Sequence, residues 1–115
     1  MGKFNFEVLE KEKIVNCVLD GFFDVSDAEN FKKKYAEMVD SLDNSKNYEL
    51  HIDSKEMTVI KATLLEGLGK VIKQYTLDFK NVVIIERKDK KLLKVQANKV
   101  IEKLGMLGKI DIKDV

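Results

Sequence analysis

The stretch YELHIDSKEMTVIKATLLEGLGKVIKQY, Tyr48 to Tyr75, decides the fold. Its first part alternates: Tyr48, Leu50 and Ile52 fall on one side and Glu49, His51 and Asp53 on the other. That period of two is a strand. Further on the period changes. Ile60, Leu64, Leu68, Val71, Ile72 and Tyr75 recur at three and four residues and share one helical face. The segment is therefore a strand that hands over to a helix, the unit from which α/β sheets are built.

Working outward, the same step recurs on both sides. Upstream, Phe4, Phe6 and Val8 alternate with Asn5 and Glu7, and IVNCVL (14–19) forms a second strand. Lys11-Glu12-Lys13 links the two as a hairpin without an Asn-Gly turn, and DGFFD then turns the chain. A helix follows with Ala28, Phe31, Tyr35, Met38, Val39 and Leu42 as its stripe. Ser26 and Glu29 have the spacing of a capping box at its start. Downstream, VVII (82–85) is a β-branched run of the kind covered on both faces. A third helix fits residues 90–104, with Asp89 as cap, a stripe of Leu93, Ala97, Val100, Ile101 and Leu104, and Gly105 as a left-handed stop. KIDI closes the chain as a strand.

The expected order is thus β-β-α-β-α-β-α-β, an α/β domain with a parallel core and an antiparallel edge hairpin. A ferredoxin-like sandwich fits the three successive strand-to-helix steps less well.

Composition sets the function classes. The 115 residues fit one domain and are 44% hydrophobic, enough for a core without disulfides. Lys and Arg total 21 against 20 acids, a net charge of +1, which argues against a nucleic-acid binder. The run ERKDKK (86–91) is basic but broken by acids, so it reads as a solvated face. No leader and no span-length apolar run is visible, which predicts a cytoplasmic protein without a membrane span. Cys17 lies in an apolar strand and reads as a buried thiol. His51 reads as a strand side chain, and no zinc spacing or phosphate-cradling glycine loop is present. No cofactor and no metal is expected.

Four stretches in this order resemble the STAS family, the domain of bacterial anti-sigma factor antagonists and of sulfate-transporter tails. VLDGFFDVSDAENFKKKYAEMV (18–39) is similar to the family's strand, Gly-x-x-Asp turn and first helix, with Gly21 and Asp24 in place. YELHIDSKEM (48–57) is similar to its next strand and loop, and LLEGLGKVIKQY (64–75) to its second helix. ANKVIEKLGMLGKIDI (97–112) is similar to its closing helix and last strand. The resemblance covers nearly the whole chain and implies a STAS-like mixed sheet.

It also implies a non-enzymatic regulatory or scaffold domain that binds a protein partner, an anti-sigma factor or a kinase-like regulator, with a homodimer as a further option. One departure matters. The antagonists carry Asp-Ser-(Ser/Ala)-Gly-Leu where the third strand's loop enters the second helix, and the partner kinase phosphorylates that serine. Here the corresponding stretch is VIKATLLEG, with Lys61 at the acidic position and Ala62 or Thr63 at the serine. Thr63 is the phosphoacceptor candidate, while Ser54, Lys55, Glu56, Thr58, Lys61 and Ala62 are candidates for partner contact.

Two other functions compete. A carrier of small ligands, lipid or nucleotide, would need an apolar pocket between helix and sheet. An enzyme would need a convergent polar site around His51, Asp53 and Glu56. Gly67 and Gly69 sit inside the second helix, where each costs roughly 1 kcal/mol against alanine. Close packing of that helix on its neighbours is the expected compensation.

Overall fold

The computed structural model describes residues 2–58, 61–103, 105 and 110–115. Five strands and three α-helices follow in the expected order: β1 (Lys3–Leu9), β2 (Ile14–Gly21), α1 (Val25–Asp40), β3 (Glu49–Met57), α2 (Leu65–Asp78), β4 (Asn81–Glu86), α3 (Lys91–Lys103) and β5 (Ile110–Asp114). Short 3₁₀ turns at Ser45–Asn47 and Ala62–Leu64 precede β3 and α2.

The strands lie side by side in sequence order, β1-β2-β3-β4-β5. β1 is antiparallel to β2, and every later pair is parallel. Sequential order has a consequence. Right-handed crossovers that all step the same way put every helix on the same face. The core agrees: Phe31 and Tyr35 of α1, Ile72 and Tyr75 of α2 and Ile101 of α3 join Val15, Leu50, Val82 and Ile84 of the sheet in one cluster. The opposite face carries Asn5, Glu7, Asn16, His51 and Asp53, and no described helix covers it. The α/β architecture with a mixed five-stranded sheet therefore stands.

Aromatic packing ties the hairpin to the helices. Phe4 meets Phe31 edge-on at 5.2 Å between centroids, and Tyr35 meets Tyr75 at 5.2 Å. The hairpin turns without Asn-Gly because Lys13 itself takes a left-handed φ of 58°. Its ammonium lies 5.0 Å over the Tyr48 ring, a contact that offsets part of that strain.

Three expectations need correction. The capping box of α1 is Asp24 with Asp27, two residues before the expected Ser26–Glu29 pair. Asp24 Oδ1 accepts from Asp27 N at 2.8 Å, and Asp27 Oδ2 accepts from Asp24 N at 3.1 Å. The cause is Gly21, whose left-handed φ of 84° ends β2 abruptly and delivers the chain to the helix at Asp24. β3 runs past Asp53 to Met57, because β2 continues beside it to Gly21 and offers pairing partners as far as Met57. α2 likewise runs beyond Tyr75 to Asp78 and stops at Phe79, which is buried.

The end of α3 is as expected, with Gly105 at φ 70°. Asp89 has both carboxylate oxygens engaged by the Arg87 guanidinium, at 3.0 and 2.6 Å. The expected stripe residues Leu93 and Ala97 have side chains outside the described set, as does Leu104 entirely; Ile101 is fully buried and Val100 packs beside it. VVII shows two coverings. Val82 and Ile84 lie in the helix-side core, while Val83 is buried within the other face, flanked by His51 and Asp111 on neighbouring strands.

Candidate functional site

Parallel strands β2 and β3 both end at the edge from which α1 and α2 start, and ligands of open α/β sheets bind at such carboxyl ends. Local chemistry shapes that end. Val18 pairs with Asp53 but Asp20 with Glu56, so β3 carries one extra residue there. Such a bulge re-aims side chains at a strand end. Thr58 continues the pairing, its N–H and its hydroxyl both donating to Gly21 O at 3.0 and 3.3 Å. The turn after Gly21 leaves Phe22 42% exposed, and the first residue of α1, Val25, 54% exposed.

Between the starts of the two helices lies an apolar cavity of about 130 Å³. Leu19 and Met57 come from the strand ends, Phe23 from the turn, and Leu64, Gly67 and Leu68 from the start of α2. A second, more open hollow of about 390 Å³ continues the groove between α1 and α2 and shares Phe31, Lys32 and Val71 with the first. The groove exists because the helices meet mainly at its far end. There Tyr35 and Tyr75 stack obliquely, and Tyr35 Oη donates to Asp78 Oδ2 at 2.7 Å. Burial first, and the Asp78 carboxylate second, push the Tyr35 phenol well above its ordinary range. Lys32 and Lys70 line the 390 Å³ hollow from opposite helices.

The two glycines of α2 behave differently. Gly69 is buried, in keeping with close packing. A Cβ built on Gly67 meets nothing within 4 Å. Packing therefore does not compensate Gly67, and the expectation that it would is corrected. The position faces the empty groove, and a methyl there would be free to form.

The sequence candidates separate into groups. Lys61 and Thr63 are exposed at the 3₁₀ turn that leads into α2, beside the cavity residue Leu64. Thr63 has no hydrogen-bond partner among the described residues. Leu64 is the N-cap of α2 and supplies no side-chain cap. Thr58 and Glu56 are exposed at the same end. Ala62 belongs to the 3₁₀ turn, and its side chain lies outside the described set.

Ser54 is not available to a partner. It is 7% exposed, and its hydroxyl donates to Ile85 O at 2.7 Å, because β3 extends through it. Lys55 turns its ammonium toward Asp53, 3.7 Å away.

Of the polar residues weighed for catalysis, His51 and Asp53 line one hollow, and Glu56 is not part of its lining. His51 lies 3.1 Å from Glu49 Oε1, its neighbour on the same strand face. Together with Asp53 it lines a hollow of about 260 Å³ on the uncovered face. Cys17 points the other way, fully buried in the core. Burial, with a smaller contribution from Asp53, pushes its thiol up to about 12. Among the described residues no three His, Cys, Asp or Glu side chains gather as metal ligands. Also among them, no helix is long and apolar enough to cross a membrane.

Sequence reading missed Phe22, Val25 and the groove. Phe22 and Val25 flank a turn and carry no periodic signal, and a groove between helices is a tertiary property. Comparison with protein-family models and with curated proteins finds no match for this chain.

Proposed function

We propose that this chain is a non-enzymatic regulatory or scaffold domain that binds a protein partner at the end where β2, β3, α1 and α2 meet. One observation carries the reading: an apolar cavity of about 130 Å³ opens there beside exposed Phe22 and Val25. Small-molecule sites usually enclose about 300–1,000 Å³. The groove as a whole, with its continuation of about 390 Å³, reaches that range, whereas its apolar end beside Gly67, at about 130 Å³, does not. That end suits a single side chain from a partner, since interface energy concentrates in a few anchors seated in desolvated pockets.

The resemblance to STAS antagonists supports the same end of the molecule, because their acceptor residue lies where Thr63 stands. Thr63 is exposed and unbonded among the described residues. A phosphate on it would bring up to two negative charges next to Lys61 and the start of α2. The partner of such a domain would be an anti-sigma factor or a kinase-like regulator.

Affinity capture from extracts of the source cells, with wild type, Thr63→Glu and Lys113→Glu compared, tests this. The expected result is a stoichiometric protein retained by wild type and by Lys113→Glu, a change remote from the site, and lost with Thr63→Glu. No retained protein, or one indifferent to Thr63→Glu, refutes the reading.

A further inference from the structure

The groove between α1 and α2 has features that the fold does not require. Gly67 is a glycine within a helical segment with open space in front of it. It lines the cavity, so a long side chain at this position would project into that space. An apolar cavity of about 150 Å³ takes one benzene ring. The 130 Å³ here therefore admits one large aliphatic or aromatic side chain.

The charges beside the cavity are arranged as well. Lys32 follows Ala28 by one helical turn on α1, and Lys70 follows Gly67 by one turn on α2. Both reach the same hollow, and Lys70 makes no ion pair among the described residues. Among the described residues Lys32 has only an exposed contact with Glu29 at 3.8 Å. Further along stand Asp40 and Asp78, and Asp78 is already held by Tyr35 and by Gln74 at 3.0 Å. Glu29 lines the cavity on the other side, so an incoming acid is attracted between the lysines and repelled to either side of them. That pairing of attraction and repulsion fixes register as well as affinity.

We propose that the groove takes a helical segment of a protein partner, with a large apolar side chain in the cavity beside Gly67 and an acidic side chain one turn away between Lys32 and Lys70. This inference rests on the partner-binding reading above and names the partner's chemistry. It is the helix-in-groove mode, in which anchors at i and i+3 or i+4 set recognition.

The test is selection of a displayed library of random peptides, about 14 residues or four helical turns long, on the immobilised full chain. Enriched peptides should share Leu, Phe or Trp with Asp or Glu three or four positions away. A synthetic winner, followed by fluorescence anisotropy, should lose affinity about tenfold or more on Gly67→Met and on the double change Lys32→Glu with Lys70→Glu. Gly67→Met should keep or raise the melting temperature, so its loss of binding is not unfolding. No enrichment over a blank surface, a basic consensus, or binding indifferent to Gly67→Met overturns the proposal. A cellular partner that depends on Thr63 but ignores Gly67→Met also overturns it, and leaves the regulatory reading standing. Peptides that obey the groove rules while no cellular partner is retained support the groove and count against that reading.

Discussion

Replacing Gly67 with alanine should make the free protein more stable. Gly67 is the third residue of α2, and the 3₁₀ turn of Ala62–Leu64 runs directly into that helix. It therefore lies one turn inside a continuous helical segment. A glycine there loses more backbone freedom on folding than alanine does, a difference of about 0.5–1 kcal/mol. The opposing effect would be overpacking, which costs about 1–3 kcal/mol where a core is full. Here a Cβ meets no atom within 4 Å, so that cost does not arise.

The sign is fixed by the structure and the size by propensity. Unfolding entropies of about 2.1 cal/mol/K per residue, scaled to 115 residues, give about 0.24 kcal/mol/K. The gain should then raise the melting temperature by about 2–4 °C. Calorimetry gives the midpoint directly. Urea unfolding should show a higher midpoint with unchanged slope, which separates a change of stability from a change of the unfolded ensemble.

Gly105 supplies the control. Its Cβ would also meet nothing, but its φ of +70° is a left-handed conformation. Alanine there should destabilise by about 1–2 kcal/mol. If Gly67→Ala lowers stability as Gly105→Ala does, the space in front of Gly67 is closed in solution and no partner side chain can enter it.

Further expectations concern the ends of the pH scale. Asp24→Ala removes the N-cap of α1 and should cost about 1 kcal/mol in urea unfolding; no loss would mean that the reciprocal Asp24–Asp27 bonds do not form in solution. Asp27 is held below its ordinary pKa, first by the Gly2 amide and then by that of Asp24. Its stabilisation is thus complete above the unfolded value of about 3.9 and is lost as pH falls through the lower folded value. Asp27→Asn should flatten the acid limb of a stability–pH curve, and a curve identical to wild type would refute this. Tyr35 and Tyr75 are both raised, chiefly by burial. The unfolded chain gives up those protons first, so stability should fall as pH rises past about 10. Absorbance at the tyrosinate band should show these two phenols ionising only together with unfolding.

Much of the architecture was legible because its determinants are local. The change of period after Ile52 announces a strand followed by a helix whatever the rest of the chain does, although α2 begins at Leu65 and the stripe's first residue, Ile60, lies outside the described residues. Phe31, Tyr35 and Tyr75 declared themselves as core by helical spacing, and all are buried. The failures lie where a distant segment decides. Ser54 looked like a loop hydroxyl, yet β2 beside it runs on to Gly21 and holds the strand through it. Two acid or hydroxyl pairs at spacing three compete to start α1, and Gly21's left-handed turn chooses the earlier. The groove depends on how far two helices stand apart, which no spacing within either helix encodes.

The candidate site follows from that same geometry. Strands laid down in sequence order with crossovers of one hand leave all helices on one face, and their starts at one end of the sheet. A fold of this kind has one natural place where two helix starts and two strand ends converge. Sequences that fold well obey local preference almost everywhere, and a violation without a structural return marks a functional demand. Gly69 has its return in burial, and Gly105 in a turn that suits glycine. Gly67 has neither, and of the three it alone lines the cavity where strand ends and helix starts converge. Helix propensity would favour alanine at that position on every fold-based ground. What glycine provides instead is room, and room beside exposed Phe22 and Val25 has value to a partner's side chain and none to the isolated domain.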